Sequence, residues 1–129
     1  MRTTRVRRLK NGEIAEQSIH NVVMQWAKIH PVIKQYFKCI LHFPNEGKRT
    51  SRFGAKLKSM GMRKGVVDLF IAVPKRGYGG AWIELKSAKG IVKPEQKQFL
   101  EDMAAQNFYT SVCWSIEEAI TCLSWYLLP

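Results

Sequence analysis

Apolar residues recur along the chain with two different periods, which predict helices and strands. Between 13 and 30 they follow the spacing of one helical face, at Ala15, Ile19, Val22, Val23, Trp26 and Ile29. Pro31 interrupts this helix, although a helical turn can continue to Tyr36. The segment YFKCILHF (36–43) is aromatic and aliphatic, which predicts a strand that ends at Pro44.

The rest of the chain alternates between the two periods. Expected there are strands over 66–73, 81–88 and 108–114, and helices over 51–60, 93–106 and from Ser115 onward. The turn PKRGYGG suits a hairpin, so the strands on either side of it are expected to run antiparallel. The order is α-β-α-β-β-α-β-α, which predicts an α/β fold with a mixed sheet flanked by helices.

The length of 129 residues and the hydrophobic content of 46% fit one globular domain. We expect it to span 13–129, after a flexible basic arm at 1–12 that either frays in solvent or contacts phosphate. The chain has no apolar run long enough to cross a bilayer and no signal core after its basic start, so a cytoplasmic protein is expected. Its cysteines form no CxxC pair and are interpreted as reduced thiols.

The chain is strongly basic. It has 21 Lys and Arg and only 10 Asp and Glu, which gives a net charge of +11. Such an excess indicates a polyanionic partner, most often nucleic acid. A membrane surface is the competitor, but no basic amphipathic helix with a broad aromatic face is present. Phosphate contacts are predicted for basic residues between 46 and 64, which could otherwise form a merely solvated face: Lys48, Arg49, Arg52, Lys56, Lys58, Arg63 and Lys64.

Charged residues inside the predicted hairpin point to chemistry. Glu84 and Lys86 are two apart and therefore share one face of their strand, while Asp68 lies on the neighbouring strand. Two carboxylates brought together repel each other unless a cation joins them, and Mg²⁺ favours carboxylate oxygens. Lys86 could then orient water or stabilise charge on a phosphate. The alternative is a structural salt bridge between Lys86 and either carboxylate.

Several motifs in this order resemble the PD-(D/E)xK nucleases, and in particular the small phage and bacterial branch of the VRR-type nuclease domain. The resemblance covers nearly all of 16–127. Its parts are EQSIHNVVMQWA, then FPNEGKRTSRFGAKLKSMGMRKGVVDL, then GYGGAWIELKSAKG with the ExK strand, and finally KPEQKQFL. The resemblance implies a restriction-endonuclease-like fold.

The resemblance also implies roles for individual residues. Asp68 and Glu84 match the metal-binding carboxylates, Lys86 matches the catalytic lysine, and the backbone carbonyl of Leu85 would be a further metal ligand. The family's helical glutamate falls on Glu16. Helix geometry agrees, because Glu16 lies at the edge of the apolar stripe, whereas Glu13, held in reserve, lies further toward solvent.

Two positions depart from the family pattern, and others are accessory. Val67 replaces the usual proline before the aspartate, and His20 replaces a glutamine. His20 either hydrogen-bonds near the metal or substrate or is simply packed. Gln96 either holds Lys86 or a water or is an exposed helix residue. The remaining candidates are Tyr78, which either stacks on a base or sugar or caps the hairpin, and two residues matching the family loop near the scissile region, Asn45 and Arg49.

The resemblance implies a Mg²⁺- or Mn²⁺-dependent endonuclease that acts on DNA as a homodimer in a bacterial cell or phage-infected host. It also implies branched DNA, such as a four-way junction, as the substrate. The alternative is a non-catalytic nucleic-acid-binding protein derived from a nuclease fold. A third possibility is an assembly protein that binds DNA through its charge. RNA as substrate, the number of metals and the metal preferred stay open.

Overall fold

A computed structural model describes residues 5–10, 12, 14–43, 51–61 and 63–129. The elements are α1 (Glu16–Ile29), a 3₁₀ helix (Ile33–Cys39), β1 (Ile40–His42), α2 (Ser51–Ser59), β2 (Leu69–Ile71), β3 (Ala81–Leu85), α3 (Pro94–Ala105), β4 (Tyr109–Cys113) and α4 (Ile116–Leu127). The predicted mixed α/β class is confirmed. None of the helices in the described ranges has the length and apolar character needed to cross a membrane.

The four strands form one mixed sheet in the order β1-β2-β3-β4. β2 is antiparallel to both β1 and β3, whereas β3 and β4 run parallel. The predicted antiparallel hairpin is therefore confirmed, with Leu69 opposite Ile83. Continuing this register by one residue places Asp68 opposite Glu84, which is the juxtaposition that the sequence predicts.

The two faces of the sheet are covered by different side chains. One face is aliphatic, and Ile71, Ile83 and Leu85 pack there in one core cluster with Val23 of α1 and Leu123 of α4. The other face is aromatic. The ring of Trp82 lies 4.4 Å from that of Phe70 and 4.9 Å from that of Phe99 in α3. Because Glu84 shares the face of Trp82, its side chain is directed toward the α3 side of the sheet.

The predicted strand at 36–43 is correct only at its end, because Ile33–Cys39 form a 3₁₀ helix and the strand is Ile40–His42. His30 starts this turn: its Nδ1 accepts from the backbone N–H groups of Val32 and Ile33, each at 3.1 Å. Ile33 is completely buried, and the aromatic side chains that follow pack against the core. Tertiary packing therefore overrides the strand propensity of this aromatic segment.

Local chemistry fixes the approach of the chain to α3 and α4. Gly65 has φ of +93°, and a Cβ there would lie 2.5 Å from the carbonyl oxygen of Glu95. Only glycine therefore lets the segment before Asp68 cross so close to the first turn of α3. At α4, Ser115 Oγ accepts from the Glu118 N–H at 3.1 Å, as a helix N-cap does.

Candidate active site

The central strand β3 carries two charged side chains into a buried position. Glu84 lies within the strand and Lys86 follows its last residue; their exposures are 0% and 3%. The backbone N–H of Lys86 donates to the Cys113 carbonyl at 2.9 Å, so β4 fixes the main chain at this point. Burying charged groups is costly unless they are paired, so their partners define the site.

Asp68 and Glu84 are joined across the hairpin through backbone N–H groups. The N–H of Asp68 donates to Glu84 Oε1 at 3.1 Å, and the N–H of Leu85 donates to Asp68 Oδ2 at 2.8 Å. Each carboxylate is thus held by the opposite strand. Such bonds restrict both side chains to one orientation before any ligand arrives.

Lys86 and Glu16 complete the cluster. Lys86 Nζ lies 3.0 Å from Glu84 Oε2 and 3.9 Å from Glu16 Oε1, and Glu16 is the first residue of α1. Glu16, Asp68 and Glu84 each offer a carboxylate oxygen, and these oxygens lie within 4.8 Å of one another. The two arrangements that the sequence left open, an ion pair of Lys86 and a cluster of carboxylates, therefore occur together. Glu13 lies outside the described residues.

The electrostatics of the cluster favour an added cation. Burial, and then the nearby charge of Asp68, raise the pKa of Glu84 to about 7, although the hydrogen bond from Lys86 acts in the opposite direction. A carboxyl group with this pKa is partly protonated at neutral pH. A hard divalent ion would remove the repulsion that holds the proton there, and oxygen-only ligands suit Mg²⁺ or Mn²⁺. The donor set therefore fits such an ion.

Gln96 supports Glu84 from helix α3. Its Nε2 donates to Glu84 Oε2 at 2.6 Å, and its Oε1 accepts from the backbone N–H of Lys93 at 3.0 Å. The side chain is 3% exposed, so the alternative of an exposed helix residue does not apply. This contact joins Gln96 to the carboxylate of Glu84, a partner that the sequence did not suggest.

His20 packs against a partner that the sequence did not suggest. Its ring lies 4.0 Å from that of His42, at the end of β1. Burial, followed by the charge of His42, lowers the pKa of His20 to about 4, so its imidazole is neutral at neutral pH. Its buried Nδ1 has no hydrogen-bond partner among the described residues. No sequence signal links the two histidines, because they lie far apart on different elements.

The predicted phosphate-binding residues fall into three groups. Arg52, Lys56 and Lys58 are exposed on α2. Arg63 is ion-paired with Asp102 at 2.5 Å, and Lys64 lies 3.9 Å from Glu95, so carboxylates of α3 already face both. The others lie outside the described residues: Asn45, Lys48 and Arg49.

Tyr78 is not brought to the cluster. Its ring lies 5.5 Å from that of Tyr109, which pairs with Ala81 at the start of β3. The carboxylates lie at the other end of the same strand. Tyr78 also exchanges two backbone hydrogen bonds with Lys75, at 2.8 and 3.1 Å, so it closes the hairpin turn.

Comparison with known proteins covers the part of the chain that carries the cluster. The VRR-NUC domain family matches residues 14–116, a range that includes every residue of the cluster. The chain belongs to the VRR-NUC family. A solved structure described as a VRR_NUC domain protein superposes on this VRR-NUC chain with a TM-score of 0.74 and 28% identity, over 88% of each chain. No curated protein matches the sequence.

Proposed function

We propose that this VRR-NUC protein is a divalent-metal-dependent endonuclease that hydrolyses phosphodiester bonds in DNA. One observation carries the proposal. Three carboxylates from α1, β3 and the segment before β2 converge within 4.8 Å, with the Lys86 ammonium 3.0 Å from one of them. A hard-ion site beside a fixed positive charge can stabilise the charge that develops during phosphodiester hydrolysis.

The carboxylates of Glu16, Asp68 and Glu84 would hold Mg²⁺ or Mn²⁺, and the carbonyl of Leu85 is a further candidate ligand. The bound metal supplies Lewis-acid stabilisation of the phosphate and a more acidic water. The protein's own contribution is orientation. Backbone donors from the opposite strand hold Asp68 and Glu84, so little reorganisation remains when the substrate binds.

Lys86 stabilises negative charge on the scissile phosphate or positions the attacking water. Its ammonium is almost fully buried, and its main chain is fixed by Cys113. A charge held in a site of low dielectric acts more strongly than one in water. Gln96 is a positioning residue, because it touches Glu84 and not the reacting atoms.

The proposed substrate is branched DNA, such as a four-way junction, cut by a homodimer. The net charge of +11 and the exposed cations of α2 support DNA as a partner. Family resemblance supports the branched substrate and the dimer, because two opposed strands need two active sites. The helix α4 offers only limited apolar surface for a dimer contact, since it buries Leu123, Tyr126 and Leu127 and leaves Trp125 44% exposed.

A second candidate function is DNA binding without catalysis. The 3.0 Å ion pair between Lys86 and Glu84 favours it, since a structural salt bridge would have the same geometry. Cleavage of a labelled four-way junction and of its linear duplex, each with Mg²⁺ and with EDTA, separates the two candidates. We expect cleavage that depends on Mg²⁺ and is faster on the junction than on the duplex. The Lys86→Met variant should not cleave either substrate. Binding without any cleavage in Mg²⁺ or Mn²⁺ would establish the non-catalytic alternative.

A further inference from the structure

The basic segment at residues 5–10 is attached to α1 on both sides of Glu16. The Arg7 N–H donates to Ser18 Oγ at 2.6 Å, and the Arg7 carbonyl accepts from the Ala15 N–H at 2.8 Å. An isolated β-bridge joins Arg8 to Ile14. This segment is therefore held next to Glu16 by the backbone of Arg7, and that attachment does not use the Arg7 guanidinium group.

An open cavity of about 510 Å³ lies between this segment and α1. The described residues that line it include two guanidinium groups, two amides and a hydroxyl, and no carboxylate: Arg5, Val6, Arg7, Gln17, Ser18 and Asn21. The amides of Gln17 and Asn21 are joined at 3.0 Å, which orders that wall. A cavity that carries two guanidinium groups and no carboxylate suits an anion with several acceptor oxygens.

We propose that this cavity, the arm cavity, binds the sugar-phosphate backbone of the DNA strand on the α1 side of the scissile bond. The proposal rests on the proposed function, because it takes DNA as the ligand. Arginine is suited to the role, since its planar fork can donate two hydrogen bonds to one phosphate. The sequence left two alternatives for the basic arm, which could fray in solvent or contact phosphate. The proposal favours phosphate contact.

The placement of the arm cavity relative to the carboxylate cluster supports this path for the DNA. On the α3 side of the sheet, Arg63 and Lys64 already face the carboxylates of Asp102 and Glu95. The arm cavity lies on α1. Glu16 is next to Gln17 of the cavity wall, while its carboxylate reaches toward Lys86. The guanidinium groups of Arg5 and Arg7 thus lie on the α1 side of the carboxylate cluster, where their charge offsets its repulsion of a passing strand.

The arm itself supplies a matched control. Arg8 Nη1 donates to the Gly12 carbonyl at 2.9 Å, and neither Arg8 nor Lys10 lines the cavity. Changing Arg8 and Lys10 to Gln removes the same charge from the same segment as changing Arg5 and Arg7 to Gln. A general effect of net charge would therefore be equal in the two double variants.

The test is the salt dependence of binding to a fluorescent DNA duplex in EDTA, where no cleavage occurs. Each phosphate contact on duplex DNA contributes about 0.9 to the slope of log K against log salt. We expect Arg5→Gln/Arg7→Gln to lower the slope by about 1.8 and Arg8→Gln/Lys10→Gln to lower it far less. Arg5→Lys/Arg7→Lys should restore the wild-type slope, and melting temperatures should show that every variant is folded.

Equal slopes for the two Gln double variants would overturn the proposal, as would an unchanged slope for Arg5→Gln/Arg7→Gln. The readout is independent of catalysis. A wild-type protein that binds DNA but never cuts it would therefore remove the proposed endonuclease and still allow the arm cavity to be tested. Conversely, a cutting enzyme with equal slopes would keep the endonuclease and remove the arm cavity as a phosphate site.

Discussion

Gln96 Nε2 donates to Glu84 Oε2 at 2.6 Å, and this bond joins helix α3 to the carboxylate cluster. The same carboxylate oxygen lies 3.0 Å from Lys86 Nζ, so a neutral donor and a cation approach it together. Oε1 accepts from the Asp68 backbone at 3.1 Å. Glu84 is therefore oriented by the Gln96 amide, the Lys86 ammonium and the Asp68 backbone N–H. Of the two side chains, Gln96 is the one whose removal leaves all charges in place.

Replacing Gln96 by Leu should lower metal affinity or cleavage by about 10- to 100-fold, because partners that orient a metal ligand typically have effects of this size. The midpoint of the Mg²⁺ titration of cleavage should move to higher concentration. Gln98→Leu is the control on the same helix, since Gln98 is exposed and bonds only Asp102 at 2.9 Å among the hydrogen bonds of the described residues. A Gln96→Leu enzyme with the wild-type Mg²⁺ midpoint and rate would contradict this positioning role.

Asp68→Asn should abolish cleavage while leaving DNA binding in metal-free buffer equal or stronger. The amide oxygen can still accept from the Leu85 N–H, which preserves the strand contact, but it carries no charge to hold the metal or to repel phosphate. Binding in EDTA and cleavage in Mg²⁺ are the two measurements. If the variant unfolds or loses binding, Asp68 is a structural residue instead.

The raised pKa of Glu84 makes metal binding depend on pH. With its pKa raised from 4.5 to about 7, the folded protein retains a proton that the unfolded chain has already released. In metal-free protein, the raised pKa of Glu84 therefore contributes to the stability of the folded state. This contribution is fully present below pH 4.5 and is lost as the pH rises through about 7. Metal binding requires the ionised form, so it should release a proton below this pKa and none well above it.

Calorimetry with Mn²⁺ in two buffers of different ionisation heat measures this proton release. We expect the apparent affinity for Mn²⁺ to rise with pH up to about 7 and then level off. Proton release that stays constant from acidic to alkaline buffer would show that Glu84 does not titrate with the metal.

The sequence was sufficient for the antiparallel hairpin because β2 and β3 are short apolar segments joined by a glycine-containing turn. The sequence overestimated the strands: the segment 66–73 yields only Leu69–Ile71, and the Asp68 N–H donates to the Glu84 side chain instead of to a strand carbonyl. It allowed a helical turn to Tyr36 but missed that the 3₁₀ helix continues to Cys39, because burial of Ile33 is a property of the assembled core and not of local propensity. Predictions failed where tertiary contacts compete with local preference.

In the site, the period of β3 placed Glu84 and Lys86 on one side, and the hairpin placed Asp68 opposite. The contact of Gln96 with Glu84 could not be derived, because it depends on how α3 crosses the aromatic face of the sheet. The pairing of Arg63 with Asp102 was hidden for the same reason. A charge run in sequence shows which residues are basic, but not which of them already have carboxylate partners.

The homodimer predicts a species near twice the chain mass of 14.9 kDa in sedimentation at micromolar protein. If α4 forms the interface, Trp125→Glu should break the dimer and uncouple paired cuts, because Trp125 is the large exposed apolar residue of that helix. Ile29→Glu, at the exposed end of α1, is the control. A monomer that makes paired cuts at equal rates would contradict the dimer.

The central claim is that Glu16, Asp68 and Glu84 bind a divalent metal next to Lys86. Anomalous diffraction from crystals soaked in millimolar Mn²⁺ tests it most directly. We expect a Mn²⁺ peak within coordination distance of the carboxylates of Asp68 and Glu84, with Lys86 Nζ beside it. No peak at this position, with the Asp68 and Glu84 side chains turned apart and Lys86 still paired to one of them, would contradict it.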